Sequence, residues 1–280
     1  MKTILQGSSK TVTIDTDGPI TIIGESINPT RRKKLTEAFQ ERTYDFVLAL
    51  AQSQIAAGAD VLDINVGVPS IDEPAVMSEV VTAVSEAFDV PLCLDSPNPK
   101  TLAAGLAAAP GRPLVNSVNG EEQQLAEILP VVKEFGVPVI GLVIDDDGIS
   151  MDPQKRLAVA AKIIERAAQL GIPMEDLVID PLAMAVSADH VSGLVTLETM
   201  ALISQEFGVN MTLGASNVSF GLPERQILNQ AFLALVAYNG ASCMITNPVK
   251  LSSTIRAIDL LLGRDEYSMR YIKHYRATRK

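Results

Sequence analysis

Short apolar runs alternate with longer segments of helical periodicity along most of this chain. Eight runs are predicted strands, and most are continuously apolar, as is typical of parallel strands covered on both faces. They cover residues 21–24, 60–64, 91–94, 113–116, 138–143, 177–179, 211–214 and 242–246. Strands that alternate with helices indicate βα units and a parallel sheet. Eight such units predict an α/β fold, the TIM (β/α)8 barrel.

Apolar residues recur at helical spacing between the predicted strands. The clearest helices are predicted over residues 44–57, 74–88, 121–135 and 153–170. Three of them are followed by a glycine, at Gly58, Gly136 and Gly171. Glycine adopts the left-handed backbone that ends many helices without steric cost. These glycines therefore predict where the chain turns back toward the next strand.

Residues 1–20 lie outside this βα pattern. The segment Thr11-Val12-Thr13-Ile14 alternates in polarity and is followed by Asp15-Thr16-Asp17-Gly18, which predicts a small hairpin. We expect this hairpin to close the lower end of the barrel. Because no linker or break in composition interrupts residues 1–280, the chain is predicted to form a single domain.

A polar cluster follows most of the predicted strands. The side chains that stand out are Glu25, Asn28, Asp63, Asn65, Asp95, Ser96, Asn116, Asp180, Ser216 and Asn217. In a barrel these strand ends converge on one rim, where active sites are built. The set is rich in hydrogen-bond acceptors and suits a planar heterocycle with several N–H donors. The chain contains neither of the glycine-rich phosphate-binding patterns, G-x-x-x-x-G-K-[ST] and G-x-G-x-x-G, so a nucleotide site is disfavoured.

Charge and cysteine usage narrow the class of protein. The formal net charge is −10 and the sequence pI is about 4.8, which argues against a nucleic-acid or anionic membrane partner. The run Arg31-Arg32-Lys33-Lys34 is expected to be a solvated helix start rather than an anion site. With two cysteines inside apolar runs and no uninterrupted apolar span of transmembrane length, we expect a soluble cytoplasmic protein.

Metal and nucleophile chemistry receive little support. His190 and His274 are the only histidines, so the usual zinc ligands cannot be assembled. Magnesium held by carboxylates stays open. The serines of the polar clusters lack a histidine base, which disfavours a serine nucleophile. The predicted site is therefore assigned no metal ligand.

Six ordered segments of the chain resemble the successive motifs of the pterin-binding methyltransferases. They are Glu25-Ser26-Ile27-Asn28, Leu62-Asp63-Ile64-Asn65-Val66-Gly67, Leu92-Cys93-Leu94-Asp95-Ser96, Val115-Asn116-Ser117, Ile179-Asp180-Pro181-Leu182 and Gly214-Ala215-Ser216-Asn217-Val218-Ser219. That group comprises the methyltetrahydrofolate:corrinoid protein methyltransferases and the folate domain of cobalamin-dependent methionine synthase, with dihydropteroate synthase a more distant relative. The resemblance extends from about residue 21 into the last helices. Any one segment alone would be weak, but six in order are specific.

The resemblance implies roles for individual residues. Asp95, Asn116 and Asp180 would hold the pterin ring. Asn217 would lie near N5 of the folate, where a hydrogen-bond donor helps the methyl group to leave. Ser216 and Arg225 would also contact substrate, although Arg225 could instead begin a helix. The supporting residues would orient these groups, or close the barrel mouth with buried hydrogen bonds; they are Glu25, Asn28, Asp63, Asn65 and Ser96.

The implied function is methyl transfer between N5 of tetrahydrofolate and the cobalt of a separate corrinoid protein, in either direction. The segment Asp189-His190-Val191-Ser192-Gly193 has the wrong spacing for a corrinoid-carrying motif, so the cobalamin is expected on a partner. The resemblance also implies a homodimer.

Two alternatives stay open. A dihydropteroate synthase-like condensing enzyme needs cations for its pyrophosphate leaving group, and the strand-end clusters contain no Lys or Arg. A noncatalytic folate-binding protein would have no use for Asn217.

Overall fold

The computed structural model describes residues 1–278, which form a small antiparallel sheet and an eight-stranded parallel sheet. The strands are β1 (Lys2–Gln6), β2 (Thr11–Asp15), β3 (Thr21–Ile27), β4 (Val61–Asn65), β5 (Leu92–Asp95), β6 (Leu114–Asn119), β7 (Val139–Leu142), β8 (Leu177–Asp180), β9 (Asn210–Met211) and β10 (Cys243–Thr246). Strands β1 and β2 form the predicted hairpin. The parallel strands follow the order β10-β3-β4-β5-β6-β7-β8-β9.

The parallel sheet curls until its two edge strands meet. The backbone N–H of Ser242 donates to the carbonyl of Met211 at 3.0 Å, and the N–H of Ile245 donates to that of Leu213 at 3.2 Å. Gly214 and Ile245 form an isolated parallel bridge beyond them. The predicted TIM barrel is therefore confirmed. The predicted strand at residues 211–214 is regular only as far as Met211.

Helices surround the barrel. They are α1 (Lys33–Glu41), α2 (Asp45–Ala56), α3 (Glu73–Ala87), α4 (Pro99–Ala108), α5 (Glu122–Phe135), α6 (Pro153–Gln169), α7 (Ser192–Phe207), α8 (Arg225–Tyr238), α9 (Pro248–Leu261) and α10 (Met269–Thr278). The four predicted helices correspond to α2, α3, α5 and α6 to within one residue at each end. Gly58, Gly136 and Gly171 all have positive φ, as predicted. Among residues 1–278, no helix is both long and apolar enough to cross a membrane.

Alternate residues of each strand point to opposite faces of the sheet, so the barrel has two apolar layers. Outward side chains such as Leu62 and Ile64 join a large cluster with the helices. Inward side chains form a smaller cluster with Leu5 and Ile14 of the hairpin; they are Ile23, Val61, Cys93, Leu114, Ile140, Val178 and Cys243. These inward residues lie toward the amino ends of their strands. The hairpin therefore seals the lower end of the barrel and leaves the upper end open.

Candidate functional site

Six of the predicted site residues face the barrel interior directly above this small inner cluster. Each lies two or four positions after an inward residue of its strand, such as Ile23, Val61 or Val178, and therefore shares its inward direction. The six are Glu25, Asp63, Asn65, Asp95, Asn116 and Asp180. The fold therefore brings them to one barrel mouth, as the sequence predicts.

Paired acids and amides form the floor of this mouth. Asp63 is 2% exposed, and its Oδ1 accepts a hydrogen bond from Nδ2 of Asn116 at 3.1 Å. Nδ2 of Asn65 donates to Oδ2 of Asp95 at 2.9 Å. Burial raises the pKa of both carboxyls, and the charge of Asp95 raises that of Asp63 further. Because the charge of one carboxyl opposes ionisation of the other, the two do not both ionise readily.

A cavity of about 300 Å³ opens above this floor. Its lining includes Glu25, Asn28, Arg32, Asp63, Asp95 and Asn116. The Oδ1 atoms of Asp95 and Asn116 accept no hydrogen bond from the residues that the structure describes. These two residues are also directly paired in register on neighbouring strands. The cavity, called the acceptor cavity below, thus offers convergent acceptors to the N–H edge of a flat ring.

Asp180 faces the same mouth but does not line the acceptor cavity. Its Oδ1 accepts from the backbone N–H of Leu182 at 2.8 Å. Burial raises the pKa of Asp180 to about 7, against the opposing effects of this hydrogen bond and of the Arg156 cation. Burial raises the pKa of the Cys243 thiol inside the barrel to about 12, and the charge of Asp180 adds to this shift, which fits a carboxylate directed at the barrel axis.

The supporting residues Asn28 and Ser96 hold local turns. Oδ1 of Asn28 accepts from the N–H of Thr30 at 3.0 Å, and Asn28 also lines the acceptor cavity. Oγ of the buried Ser96 accepts from the N–H of Asn98 at 3.1 Å, just before α4. Ser96 lies outside the lining of the acceptor cavity, so its contacts are those of a turn residue.

Arg156 ties the loop after β7 to the turn that follows Asp180. This arginine of α6 is fully buried. Its Nε donates to the carbonyl of Ser150 at 2.7 Å, and its Nη1 donates to the carbonyls of Pro181 at 2.9 Å and Leu182 at 2.8 Å. Since one side chain satisfies three backbone carbonyls, it fixes the turn that orients Asp180.

The substitution Arg156→Met is expected to lower the free energy of unfolding by about 3 kcal/mol, because it leaves buried carbonyls without donors. Denaturant titration measures this loss. Arg166→Met is the matched control, since Arg166 lies on the same helix but pairs with Glu122 at the surface. Equal losses in the two variants would contradict the role given to Arg156.

Ser216 and Asn217 lie in a short 3-10 turn, Ala215–Ser219, that follows the seventh barrel strand. Oγ of Ser216 donates to Oε1 of Glu25 at 3.3 Å. Asn217 is exposed, and it lies on the rim rather than in the lining of the acceptor cavity. A Cβ atom at Gly214 would lie 3.2 Å from Nδ2 of Asn217, so glycine at position 214 makes room for this amide.

A second cavity, of about 320 Å³, adjoins the first and shares Glu25 and Arg32 with it. We call it the cationic cavity, because its lining also includes Arg225 and Lys250. Arg225 donates through Nε to Oγ of Ser219 at 3.0 Å and through Nη2 to the carbonyl of Ser216 at 2.8 Å. The predicted substrate residue Arg225 thus lies at the site.

The expectation of a solvated basic run is wrong for one of its four residues. Arg31, Lys33 and Lys34 are exposed, but Arg32 turns inward and donates through Nη1 to the carbonyl of Ser26. The argument that the site lacks cations also fails, because Arg32 and Lys250 come from outside the strand-end clusters. Asn247 lies directly after β10 and lines the cationic cavity. The pattern of polar residues at strand ends identifies it as a candidate, but the sequence prediction missed it.

The part of the chain described here, residues 1–278, contains no group of three or more His, Cys, Asp or Glu side chains arranged to hold a metal ion. In the acceptor cavity, Asp63 and Asp95 accept hydrogen bonds from amides, and Glu25 accepts one from the Ser216 hydroxyl. The side chains that line the two cavities can hydrogen-bond a ligand and exchange protons with it.

Similar solved structures show the same fold. Dihydropteroate synthase from Yersinia pestis superposes with a TM-score of 0.70 at 19% identity, covering 93% of this chain and 99% of that one. The enzyme from Stenotrophomonas maltophilia gives a TM-score of 0.71 at 19% identity, over 95% and 99% of the two chains.

Sequence relatives are more informative. The chain is 31% identical over 265 residues to a methylcorrinoid:tetrahydrofolate methyltransferase of Eubacterium limosum, covering 91% of this chain and 96% of the relative. It is 30% identical over 248 residues to methionine synthase of Mycobacterium tuberculosis, covering 84% of this chain but 21% of that longer protein. These relatives confirm the resemblance to pterin-binding methyltransferases.

The family of pterin-binding enzymes matches residues 24–247. This span runs from the first barrel strand to the residue after the last one, and so it includes every strand end that builds the two cavities. The chain therefore belongs to the pterin-binding enzyme family.

Proposed function

We propose that this protein is a methyltransferase that moves a methyl group between N5 of tetrahydrofolate and the cobalt of a corrinoid carried by a separate protein. The observation that carries the proposal is the acceptor cavity, with the free oxygens of Asp95 and Asn116 side by side. The Eubacterium limosum relative, which bears this activity in its name, aligns over nearly the whole of both chains.

The donor edge of a pteridine fits the acceptor cavity. Its 2-amino group and ring N–H can donate to Asp95 in the cavity and to Asp180, which faces the same mouth from outside the cavity lining, while the Asn116 amide can both donate and accept. Hydrogen bonds to ionised carboxylates are stronger than neutral ones. The register places Asp95 beside Asn116, so the ring would bind along neighbouring strands with its other edge toward the open mouth.

Methyl transfer requires control of a proton at N5. When the N5–methyl bond breaks, its electron pair stays on N5, and a hydrogen bond or proton there stabilises the leaving nitrogen. The corrinoid cobalt accepts the methyl group in one direction and supplies it in the other. Asn217 is exposed on the rim, where Nδ2 can donate to N5 without blocking the approach of a partner protein.

Glu25 supports this chemistry from beneath the rim. It lies in both cavities and accepts the hydrogen bond of Ser216, the neighbour of Asn217. Burial raises the pKa of Glu25, although Ser216 and nearby cations act against the shift. A carboxyl of raised pKa holds a proton closer to neutral pH than an exposed one does. The hydrogen bond to Asp63 keeps Asn116 in place. The hydrogen bond from Asn65 does the same for Asp95.

Two other functions are tested by the same experiment. A dihydropteroate synthase-like enzyme gains support from the cations of the second cavity, but its solved representatives are about 20% identical to this chain, and this likeness concerns the fold. A noncatalytic folate binder would bind without turnover.

Anaerobic calorimetry with methyltetrahydrofolate, followed by absorbance of methylcobalamin formed from reduced cobalamin, is expected to show both binding and transfer. Binding without transfer favours the binder, and absence of folate binding defeats both folate proposals.

The corrinoid protein would dock on the loops at the open end of the barrel, because the methylated nitrogen faces that end.

Cys93 and Cys243 are free and buried, in keeping with a reducing cytoplasm. We therefore propose that the protein is located in the cytoplasm.

A homodimer is also proposed, because the solvent-facing stripe of α8 is apolar. Its exposed residues at helical spacing are Ile227, Ala231, Ala234, Leu235 and Tyr238. Leu235 is 50% exposed and Tyr238 is 79% exposed. An apolar stripe on an outer helix is typical of a surface that a partner covers.

Leu235→Glu is expected to convert a dimer into a monomer, since the change puts a charge into an apolar contact. Light scattering after size-exclusion chromatography measures the mass. Leu170→Glu, at an exposed position after α6, is the matched control and should leave the mass unchanged. A dimer that persists in Leu235→Glu would rule out this face.

A further inference from the structure

The cationic cavity differs in charge from the acceptor cavity beside it. Arg32, Arg225 and Lys250 line it together with a single carboxylate, Glu25. With all four ionised, the lining carries a net charge of +2. The acceptor cavity contains Asp63 and Asp95 in addition to the shared residues. The two cavities therefore suit opposite ends of one elongated substrate.

Two helices begin at the cationic cavity. Arg225 is the first residue of α8, and Lys250 lies in the first turn of α9. Neither helix has a side-chain cap hydrogen bond at its N-terminus. Unpaired backbone N–H groups and the helix dipole make such ends favourable for anions. The loops after the seventh and eighth strands are also where barrels of this kind often hold oxyanions.

Unpaired amides give a second, independent indication of a ligand. Asn229 is 8% exposed and lines the cationic cavity, yet neither Oδ1 nor Nδ2 of its side chain has a hydrogen-bond partner among the described residues. Oδ1 of Asn247, in the same lining, is also buried without a partner in this part of the chain. Buried polar groups in folded proteins are nearly always satisfied, and the Nδ2 groups of these two amides are free to donate to the acceptor oxygens of a ligand.

We propose that the cationic cavity binds the glutamyl carboxylates of the folate substrate, so that the protein selects tailed folates over bare pterins. The inference rests on the proposed function, since it takes the pteridine to occupy the adjoining acceptor cavity. One glutamyl group carries two carboxylates, which match the net charge of the lining. Arg225 and Lys250 bind the carboxylates, and the Nδ2 groups of Asn229 and Asn247 donate further hydrogen bonds to them.

The test compares two ligands and two matched variants. Anaerobic calorimetry measures the dissociation constants of tetrahydrofolate and of 6-methyltetrahydropterin, which lacks the aminobenzoyl-glutamate tail. Lys250→Glu reverses one charge of the cavity at an exposed position of α9, where the fold tolerates it. Lys100→Glu makes the same change in the first turn of α4, which begins at a different strand end.

The wild-type protein is expected to bind tetrahydrofolate at least about tenfold more tightly than the bare pterin. Lys250→Glu should weaken tetrahydrofolate binding by about tenfold while the bare pterin binds as before, and Lys100→Glu should change neither. Equal affinity of the wild type for both ligands, or equal weakening of both by Lys250→Glu, would overturn the proposal. Failure of both ligands to bind would instead overturn the proposed function.

Inorganic pyrophosphate separates the two sources of an oxyanion. If the cavity takes carboxylates, pyrophosphate at millimolar concentration should leave tetrahydrofolate binding nearly unchanged. If pyrophosphate displaces tetrahydrofolate and Lys250→Glu abolishes that competition, the cavity is a phosphate site and the carboxylate proposal is wrong.

Discussion

Alanine in place of Asn217 is expected to slow methyl transfer about a hundredfold and to change the folate dissociation constant less than about threefold. The amide lies on the rim, outside the acceptor cavity, so it contributes little to holding the ring. Its N–H group gains strength as a donor only when the methyl group leaves and charge develops at N5. Single-turnover absorbance at saturating folate measures the rate, and calorimetry measures affinity.

Asn217→Asp is the matched variant, because it keeps the size of the side chain and removes the donor. We expect it to lose as much rate as the alanine variant. Proportional losses of rate and affinity in Asn217→Ala would show that the residue only holds the ring. A full rate in Asn217→Asp would remove hydrogen-bond donation from the mechanism.

Asp180→Asn is expected to raise the folate dissociation constant by about one to two orders of magnitude, because a charge-assisted hydrogen bond to the pterin is lost. The asparagine oxygen can still accept from the N–H of Leu182, as Oδ1 does in the native protein, so the turn should persist. Calorimetry at fixed pH measures the change, and unchanged affinity would exclude Asp180 from the pterin site.

The pH dependence gives Asp180 a distinctive signature. Burial raises its pKa from 3.8 to about 7, so the carboxylate that accepts from the pterin is lost as the pH falls through about 7. Wild-type affinity for folate should therefore weaken toward about pH 5, and the Asp180→Asn variant should lack that dependence. Identical pH profiles of affinity in the two proteins would contradict the assignment.

The same raised pKa makes the stability of the fold depend on pH in the direction opposite to that of folate affinity. The folded state binds the proton more tightly than the unfolded chain does, so this contribution to stability is present below about pH 4 and is lost as the pH rises through about 7. At about pH 8 the asparagine variant should therefore gain stability relative to the native protein. Asp259→Asn, which alters a buried carboxyl of raised pKa at the lower end of the barrel, is the control that should leave folate affinity unchanged.

The barrel could be predicted from the sequence because its local signals agree with its global packing. Continuous apolar strands and helix-ending glycines such as Gly58 and Gly136 are local features, and the structure keeps them. The exceptions are strand ends. Strand β3 continues through Glu25 to Ile27 because Gln54 accepts from the N–H of Ser26 at 2.8 Å. A Cβ atom at Gly24 would lie 2.5 Å from that Gln54 oxygen, and such a long-range approach leaves no local pattern.

The site could be predicted only in part. Strand-end polarity identifies Asp63, Asp95 and Asn116, because parallel strands must deliver their ends to one rim. It does not identify Arg32 or Lys250, which reach the cationic cavity from the chain before α1 and from the first turn of α9. Whether a cation at a helix start turns inward depends on what lies across from it, here the carbonyl of Ser26 for Arg32.

The hairpin that seals the barrel has a consequence for the order of assembly. Leu5 and Ile14 pack against side chains from seven of the eight barrel strands. Their packing partners are therefore complete only after the last barrel strand has been synthesised. The hairpin is thus synthesised before the barrel strands but reaches its final packing among the last elements. Contacts between residues far apart in the sequence slow folding. The hairpin lies at the end of the barrel opposite the active site, which in barrels of this kind contributes to stability rather than to catalysis.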